Sequence, residues 1–344
     1  VTHAVLPRLL ASPPLSAVDA RATFARLLEP GATDVERAAI LVALASRPLD
    51  DRELALFASE MRRRARSFPI PRSDQPIDLC GSGGARVPSF NVSTVSALVV
   101  AAAGAPVVKH GNRSALGICG SSDLLEALGL PVVRSREFSR RSYRRYRIAF
   151  LHAPLYHPET AVVAPVRRLL ALRTIFNLLG PLSNPAQVPL QVVGAPDLPT
   201  AAIFSKVLVR LGVRRGVAMT STDGCDEFSP RASTTAYVWS GRTRRRRTFV
   251  PTAWLEADDR RGAWGPLPPA AAAEETERIL AGGGGARRGA VLLTSGIALW
   301  TAGAVPSFSR GLSLAAEALD DGRAARLLLS LRTLGREFPP EANR

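Results

Sequence analysis

The chain has 344 residues, 46% of them hydrophobic, which is enough to give one large domain and one small one a core each. Its three cysteines, Cys80, Cys119 and Cys225, are odd in number and lack Cys-x-x-Cys spacing, so neither a disulfide framework nor a zinc ribbon is indicated and a cytoplasmic setting is expected. The formal charge of +16 points to acidic partners, but only Lys109 and Lys206 among the 45 basic residues are lysines, so part of the excess reflects a general preference for arginine.

From residue 21 to 66, apolar side chains recur at three- and four-residue spacing: Phe24, Leu27 and Leu28, then Ile40, Leu41 and Leu44, then Leu54, Leu56, Phe57 and Met61. This predicts helices broken at Pro30-Gly31 and Pro48, with Asp34 and Asp50 or Asp51 at N-cap positions. Pro69, Pro71 and Pro76 mark a linker, beyond which short apolar strands alternate with helices. Strands are expected at 77–79, 106–108, 148–151, 191–193, 217–220, 236–239 and 248–250. Helices are expected at 92–103, at 122–128 with a cap at Ser121 or Ser122, and at 200–211. The longest apolar stretch, 95–108, is interrupted by Ser96, Gly104 and Pro106 and is too short to span a bilayer, so no membrane anchor is expected. A glycine-rich loop at 281–286 precedes a final helical run over 290–334. The expected fold class is α/β: a small helical domain plus a larger α/β domain whose central, largely parallel sheet is flanked by helices.

Two arginine clusters interrupt this pattern. Arg140, Arg141, Arg144, Arg145 and Arg147 alternate with Tyr143 and Tyr146, a mix that suits single-stranded nucleic acid but also an ordinary solvated helical face, which is the preferred reading. Arg242 with Arg244 to Arg247 reads as the exposed tip of a hairpin.

The chemistry is concentrated after strands. Gly81-Ser82-Gly83-Gly84 follows the first one; glycines there either form a tight turn or let backbone N–H groups approach an anion. Asn91, Ser93 and Thr94 open a helix, where they cap it or, with the helix dipole, hold a phosphate. Lys109-His110-Gly111-Asn112-Arg113 follows the second strand, and a lysine in an arginine-rich chain suggests a site that wants a compact ammonium. Arg167 lies on a helix, from which it forks onto a carboxylate or forms a surface ion pair. Asp223-Gly224-Cys225-Asp226-Glu227 is either a solvated acidic turn or a set of oxygen ligands for magnesium on a diphosphate.

In order along the chain, GSGG, NVST, KHGNRS, GSSDLLEALG, VRR, RTIFNLLGPLSNPA, QVVG and DGCDEFS resemble the anthranilate phosphoribosyltransferase family from end to end. The resemblance implies a transferase that moves the 5-phosphoribosyl group of phosphoribosyl diphosphate onto anthranilate or a related aromatic acid, with magnesium and as a homodimer. It also implies a domain division: 1–68, joined by helices from 158–185, forming the helical part, and 74–157 with 186–344 the α/β part. By position, Gly81, Ser82, Gly83, Gly84, Asn91, Ser93, Thr94, Lys109 and Ser121 would bind the donor; His110, Asn112 and Arg167 the acceptor; and Ser93, Asp226 and Glu227 the metal. The chain departs from the family pattern at Ala85, where an aspartate is usual, at 116–119, at Glu159-Thr160 and at Cys225. These departures keep open a paralogue specialised for another benzoate-type acceptor, while a non-catalytic nucleic-acid-binding relative is the less favoured alternative.

Overall fold

A computed structural model describes residues 2–11, 14–48, 50–82, 87–114 and 118–339. Four helices come first: α1 (Thr2–Leu10), α2 (Ala17–Leu28), α3 (Asp34–Ala45) and α4 (Asp51–Arg64). Each of the last three has a side-chain cap: Ser16 accepts from Asp19 N, Thr33 and Glu36 form a reciprocal capping box, and Asp50 accepts from the N–H groups of Arg52 and Glu53. The cap of α3 is therefore Thr33, and Asp34 occupies the first turn, where its charge favours the dipole.

The α/β part follows with β1 (Ile77–Cys80), α5 (Val92–Ala102), β2 (Val107–Gly111), α6 (Ser121–Ala127), α7 (Arg136–Tyr146) and β3 (Ile148–His152). Next come α8 (Ala153–Tyr156), α9 (Ala164–Leu170), α10 (Ile175–Leu179), β4 (Leu190–Gly194), α11 (Leu198–Arg210) and β5 (Arg215–Ser221). The chain closes with β6 (Thr234–Ser240), β7 (Thr243–Phe249), α12 (Pro269–Leu280), α13 (Ala286–Ala302), α14 (Phe308–Asp320) and α15 (Arg323–Gly335). The strands form one seven-stranded sheet in the order β3-β2-β1-β4-β5-β6-β7. Its first five members pair in parallel, and β6 and β7 add on as antiparallel strands.

Three further local expectations are corrected. The cap of α6 is Gly120 rather than Ser121 or Ser122, because Asp123 in the first turn reaches back to Gly120 N at 2.9 Å. The strand expected at 248–250 is the end of the longer β7, so Arg244 to Arg247 lie on an exposed edge strand and only Gly241-Arg242 form the tip. The final helical run is three helices, interrupted by Gly303 at φ 75° and Gly322 at φ 76°, a left-handed conformation that glycine adopts without strain.

Burial explains the layering. Helix α5 is apolar nearly all round, with Val92, Val95, Leu98 and Val99 fully buried, and packs both on the sheet and against its neighbour α13. On the other face α11 presents Phe204, Val207 and Leu208 to the sheet. The same core continues into α1–α4, α9 and α10 through Phe24, Phe57 and Phe176. From β1 the chain moves outward to β2 and β3, then returns to β4 on the other side of β1. Such a reversal opens a crevice at the carboxyl ends of β1 and β4, the place where open α/β sheets take ligands.

Candidate active site

Gly81 follows β1 and Gly194 ends β4, and the loop after β5 crosses above both. A Cβ on Gly194 would lie 1.7 Å from the Asp226 carbonyl oxygen, and one on Gly81 would lie 2.9 Å from Asp226 Oδ2, so the loop reaches the crevice only because both positions lack side chains. Ser82 fastens it there, donating to Asp226 Oδ2 from its N at 2.5 Å and from its Oγ at 2.7 Å. Asp223, in contrast, turns inward and accepts from Ser229 Oγ at 2.7 Å. Cys225 is buried, with its thiol pushed up to about 12 by burial and the surrounding carboxylates, and it is chemically inert there.

Glu227 lies beside Asp226 against the start of α5. Its Oε1 accepts from Ser93 N at 3.3 Å, and its Oε2 is buried with no partner among the described residues. Burial, followed by the neighbouring Asp226 charge, pushes the Glu227 carboxyl up to about 8. Asn91 stands at the N-cap of α5 without capping it; its amide donates instead to Cys119 O at 3.0 Å. Lys109, buried on β2, donates from Nζ to Leu79 O at 2.5 Å and to Ser93 Oγ at 3.2 Å. Ser93, Lys109, Asp226 and Glu227 are thus gathered at one point, with Gly81 and Ser82 below and Thr94 buried in the first turn of α5. Gly83, Gly84, Ala85 and Leu116 lie outside the described residues.

Ser121 opens α6, and its Oγ donates to Asn112 O at 3.1 Å. The Asn112 side chain is exposed and accepts from Arg113 N at 2.8 Å. His110 is buried; its Nδ1 lies 3.3 Å from Gly180 O, and its ring centroid is 5.1 Å from that of His157. Burial, then the adjacent His157, holds the His110 pKa well below the usual imidazole range, so the ring is neutral. Arg167 on α9 is half-buried: its guanidinium lies 5.4 Å over the Phe176 ring, with Nη2 3.5 Å from Asn177 Oδ1. Among the described residues no carboxylate pairs with it, and burial lowers its pKa. His110 and Arg167 meet the same stretch of chain, α10 and the turn after it.

That turn holds residues to which the sequence reading gave no role. The carbonyls of Gly180, Pro181, Leu182 and Ser183 each receive a different side chain: His110 Nδ1 at 3.3 Å, Gln191 Nε2 at 2.6 Å, Arg62 Nε at 2.7 Å and His157 Nε2 at 3.0 Å. Asn184 follows, donating from Nδ2 to Asp78 Oδ2 at 2.9 Å and to Val108 O at 2.8 Å. A signal for Asp78 was present, since a carboxylate in the apolar strand Ile77-Asp78-Leu79-Cys80 needs a partner, but nothing local says which one.

The glycosyl transferase family helical bundle domain matches residues 4–65, and the glycosyl transferase family a/b domain matches residues 73–325. The chain is 38% identical over 312 residues to an anthranilate phosphoribosyltransferase of Herpetosiphon aurantiacus, covering 90% of this chain and 92% of that protein. It is 39% identical over 326 residues to one from Solibacter usitatus, covering 93% and 94%. The crystal structure of the Thermus thermophilus anthranilate phosphoribosyltransferase superposes with a TM-score of 0.84 at 32% identity, covering 96% of this chain and 99% of that one. The Saccharomyces cerevisiae enzyme in complex with PRPP and Mg has the same fold, with a TM-score of 0.87 at 23% identity over 98% of each chain. Matched in both domains and along nine-tenths of its length, the chain belongs to the anthranilate phosphoribosyltransferase family.

Proposed function

We propose that the protein transfers the 5-phosphoribosyl group of phosphoribosyl diphosphate to anthranilate and releases diphosphate. The observation that carries this reading is the gathering of Lys109, Ser93, Asp226 and Glu227 at the β1–β4 crevice, where an ammonium and a helix start face two carboxylates. Release of diphosphate from phosphoribosyl diphosphate that depends on added anthranilate tests it; a protein that releases none with any aminobenzoate or hydroxybenzoate overturns it.

Magnesium fits the donor set. Among the described residues Glu227 Oε2 is a buried oxygen without a donor, and no third carboxylate, histidine or cysteine joins the pair. Two carboxylates and a hydroxyl suit a hard ion that keeps waters and phosphate oxygens as its other ligands. Asp226, Glu227 and Ser93 would hold it, and when bound it supplies positive charge to the departing diphosphate. The Lys109 ammonium adds fixed charge beside them. Gly81, Ser82, Gly83, Gly84, Asn91, Thr94 and Ser121 are proposed to line the rest of the donor site with N–H and hydroxyl groups.

On the acceptor side, the weakly basic arylamine is already unprotonated near neutrality, so the residues mainly position it. Arg167 is proposed to take the aromatic carboxylate, supported by its half-buried guanidinium, which has no ionic partner among the described residues. His110 and Asn112 border the amine. Changing Arg167 to alanine is expected to raise the KM for anthranilate by roughly 10- to 100-fold, the cost of a charge-assisted pair, and to leave the donor KM within about twofold. Separate titrations of the two substrates decide it, and equal losses for both would make Arg167 structural.

We further propose that residues 1–68 with 158–185 form the helical part and that it dimerises. Exposed Leu10, Val35, Val42 and Leu169 on α1, α3 and α9 support a second copy as the occupant of this face. Leu169→Asp is expected to turn a dimer into a monomer in sedimentation, and an unchanged mass would refute this face. A reducing, cytoplasmic setting is supported by the three free cysteines. Among the described residues no helix is long and apolar enough to cross a membrane. The α7 arginine cluster gives nucleic acid little to stack on, because Tyr143 is buried with its hydroxyl on Asp74 and Arg147 pairs with that same aspartate at 2.5 Å.

A further inference from the structure

The turn at residues 180–184 is held from four directions, and the grip dictates protonation. A carbonyl oxygen only accepts, so the contact with Gly180 O requires His110 to carry its proton on Nδ1, and the contact with Ser183 O requires His157 to carry its proton on Nε2. His110 Nε2 is then a bare lone pair, buried and without a partner among the described residues. The position of the turn is set next door. Asp78 Oδ1 accepts from His110 N at 3.2 Å and Oδ2 from Asn184 Nδ2 at 2.9 Å, so a single carboxylate fixes the backbone of His110 and the far end of the turn. Asn184 spends its remaining groups on Val108 O at 2.8 Å and Ala186 N at 2.9 Å. Both residues are fully buried, in contact with neither α5 nor the acidic loop through any hydrogen bond described.

We propose that Asp78 and Asn184 are positioning residues for the aromatic acceptor, acting through the 180–184 turn to hold His110 in the Nδ1–H tautomer with Nε2 free to accept from the arylamine. This rests on the reading of His110 as an acceptor-side residue. A framework role alone would affect both substrates alike. A positioning role affects the acceptor and the His110 ring.

The test combines kinetics with nitrogen NMR of the four histidines of the 344-residue chain. In the wild type, His110 is expected to show a protonated Nδ1 and an unprotonated Nε2; the opposite tautomer overturns the proposal without any variant. Asn184→Ala is expected to raise the anthranilate KM at least tenfold, to leave the donor KM within twofold, and to convert the His110 signals to a tautomer mixture. Asp78→Asn places a second amide against Asn184 and is expected to raise the anthranilate KM and mix the His110 tautomers likewise; because it also removes a charge beside Lys109, the donor KM is read on Asn184→Ala. Equal loss for donor and acceptor in Asn184→Ala overturns the proposal. His110→Ala separates the two layers: if it leaves the anthranilate KM unchanged, the acceptor reading falls and positioning with it. If it raises that KM while Asn184→Ala does not, positioning alone falls.

Discussion

Replacing Asp226 by Asn and Glu227 by Gln together is expected to lower turnover on the order of 10³-fold or more while leaving the protein folded, because the amides keep the acceptor atoms for Ser82 and Ser93 and remove only the charge. Stability should respond in a particular pH window. The Glu227 carboxyl, pushed up to about 8 from an ordinary 4.5, binds its proton more tightly in the folded chain than in the unfolded one. Its contribution to stability is therefore fully present below the unfolded value and is lost as pH rises toward 8. Asp78, pushed up to about 6 by burial against the pull of Lys109 and Asn184, slopes the same way but levels off near 6. His152 and His157, both depressed to about 4 by burial, slope oppositely, since stability is lost as pH falls from 6.5 toward 4. Between 6.5 and 8 the Glu227 slope remains. The metal-free wild type is expected to melt at lower temperature as pH rises through this window, whereas the double variant holds its melting temperature and magnesium flattens the wild-type slope. Turnover within tenfold of wild type would remove these carboxylates from the metal site.

Lys109→Met is expected to reduce kcat/KM for phosphoribosyl diphosphate by about 10²- to 10³-fold, the scale of losing one preorganised charged donor in a water-poor site. Methionine fills nearly the same volume, so packing is kept while the ammonium between Leu79 O and Ser93 Oγ disappears. The anthranilate KM should hardly move, which separates this variant from those at Asp78 and Asn184. Melting temperature should fall as well, because the Lys109 charge offsets part of the burial cost of Asp78 and Glu227. Lys109→Arg is not expected to rescue, since a planar fork replaces a compact ammonium held by two oxygens. Diphosphate release at varied donor and varied anthranilate concentration, with a thermal melt beside it, measures these effects. A change under threefold would leave Lys109 as part of the framework only.

Much of this arrangement was legible in the residues. The parallel strands are short apolar runs and α5 is a long one, so burial on both faces is written into their composition. Strand β7 was mostly missed, because an edge strand of consecutive arginines shows neither an apolar run nor alternation. The cap of α6 was misplaced, since glycine caps through backbone conformation and only Asp123, three residues on, reveals it. For the site, Gly81, Ser93, Lys109, Asp226 and Glu227 stood out as unusual residue types after strands. What no local pattern states is that Asp226 descends on Ser82 from 144 positions away, or that Asp78 finds its amide 106 positions later at Asn184. Such pairings are set by sheet order, which only the folded chain supplies.

The outermost strand has one more consequence. Arg244 and Arg246 project toward α11, where Arg244 lies 5.2 Å over the Tyr237 ring, and Arg245 and Arg247 project toward α13, where Arg247 lies 5.6 Å over Trp300. A sheet that ends in an unpaired strand offers its free N–H and C=O groups to any other strand, including the same strand of another molecule. Here each approach of two such edges brings eight guanidinium groups together, four from each copy, with two from each copy on either face of the sheet. Coulomb repulsion between them opposes the growth of sheets from molecule to molecule, so the arginine run acts as a guard against fibrous aggregation that weakens as salt screens it.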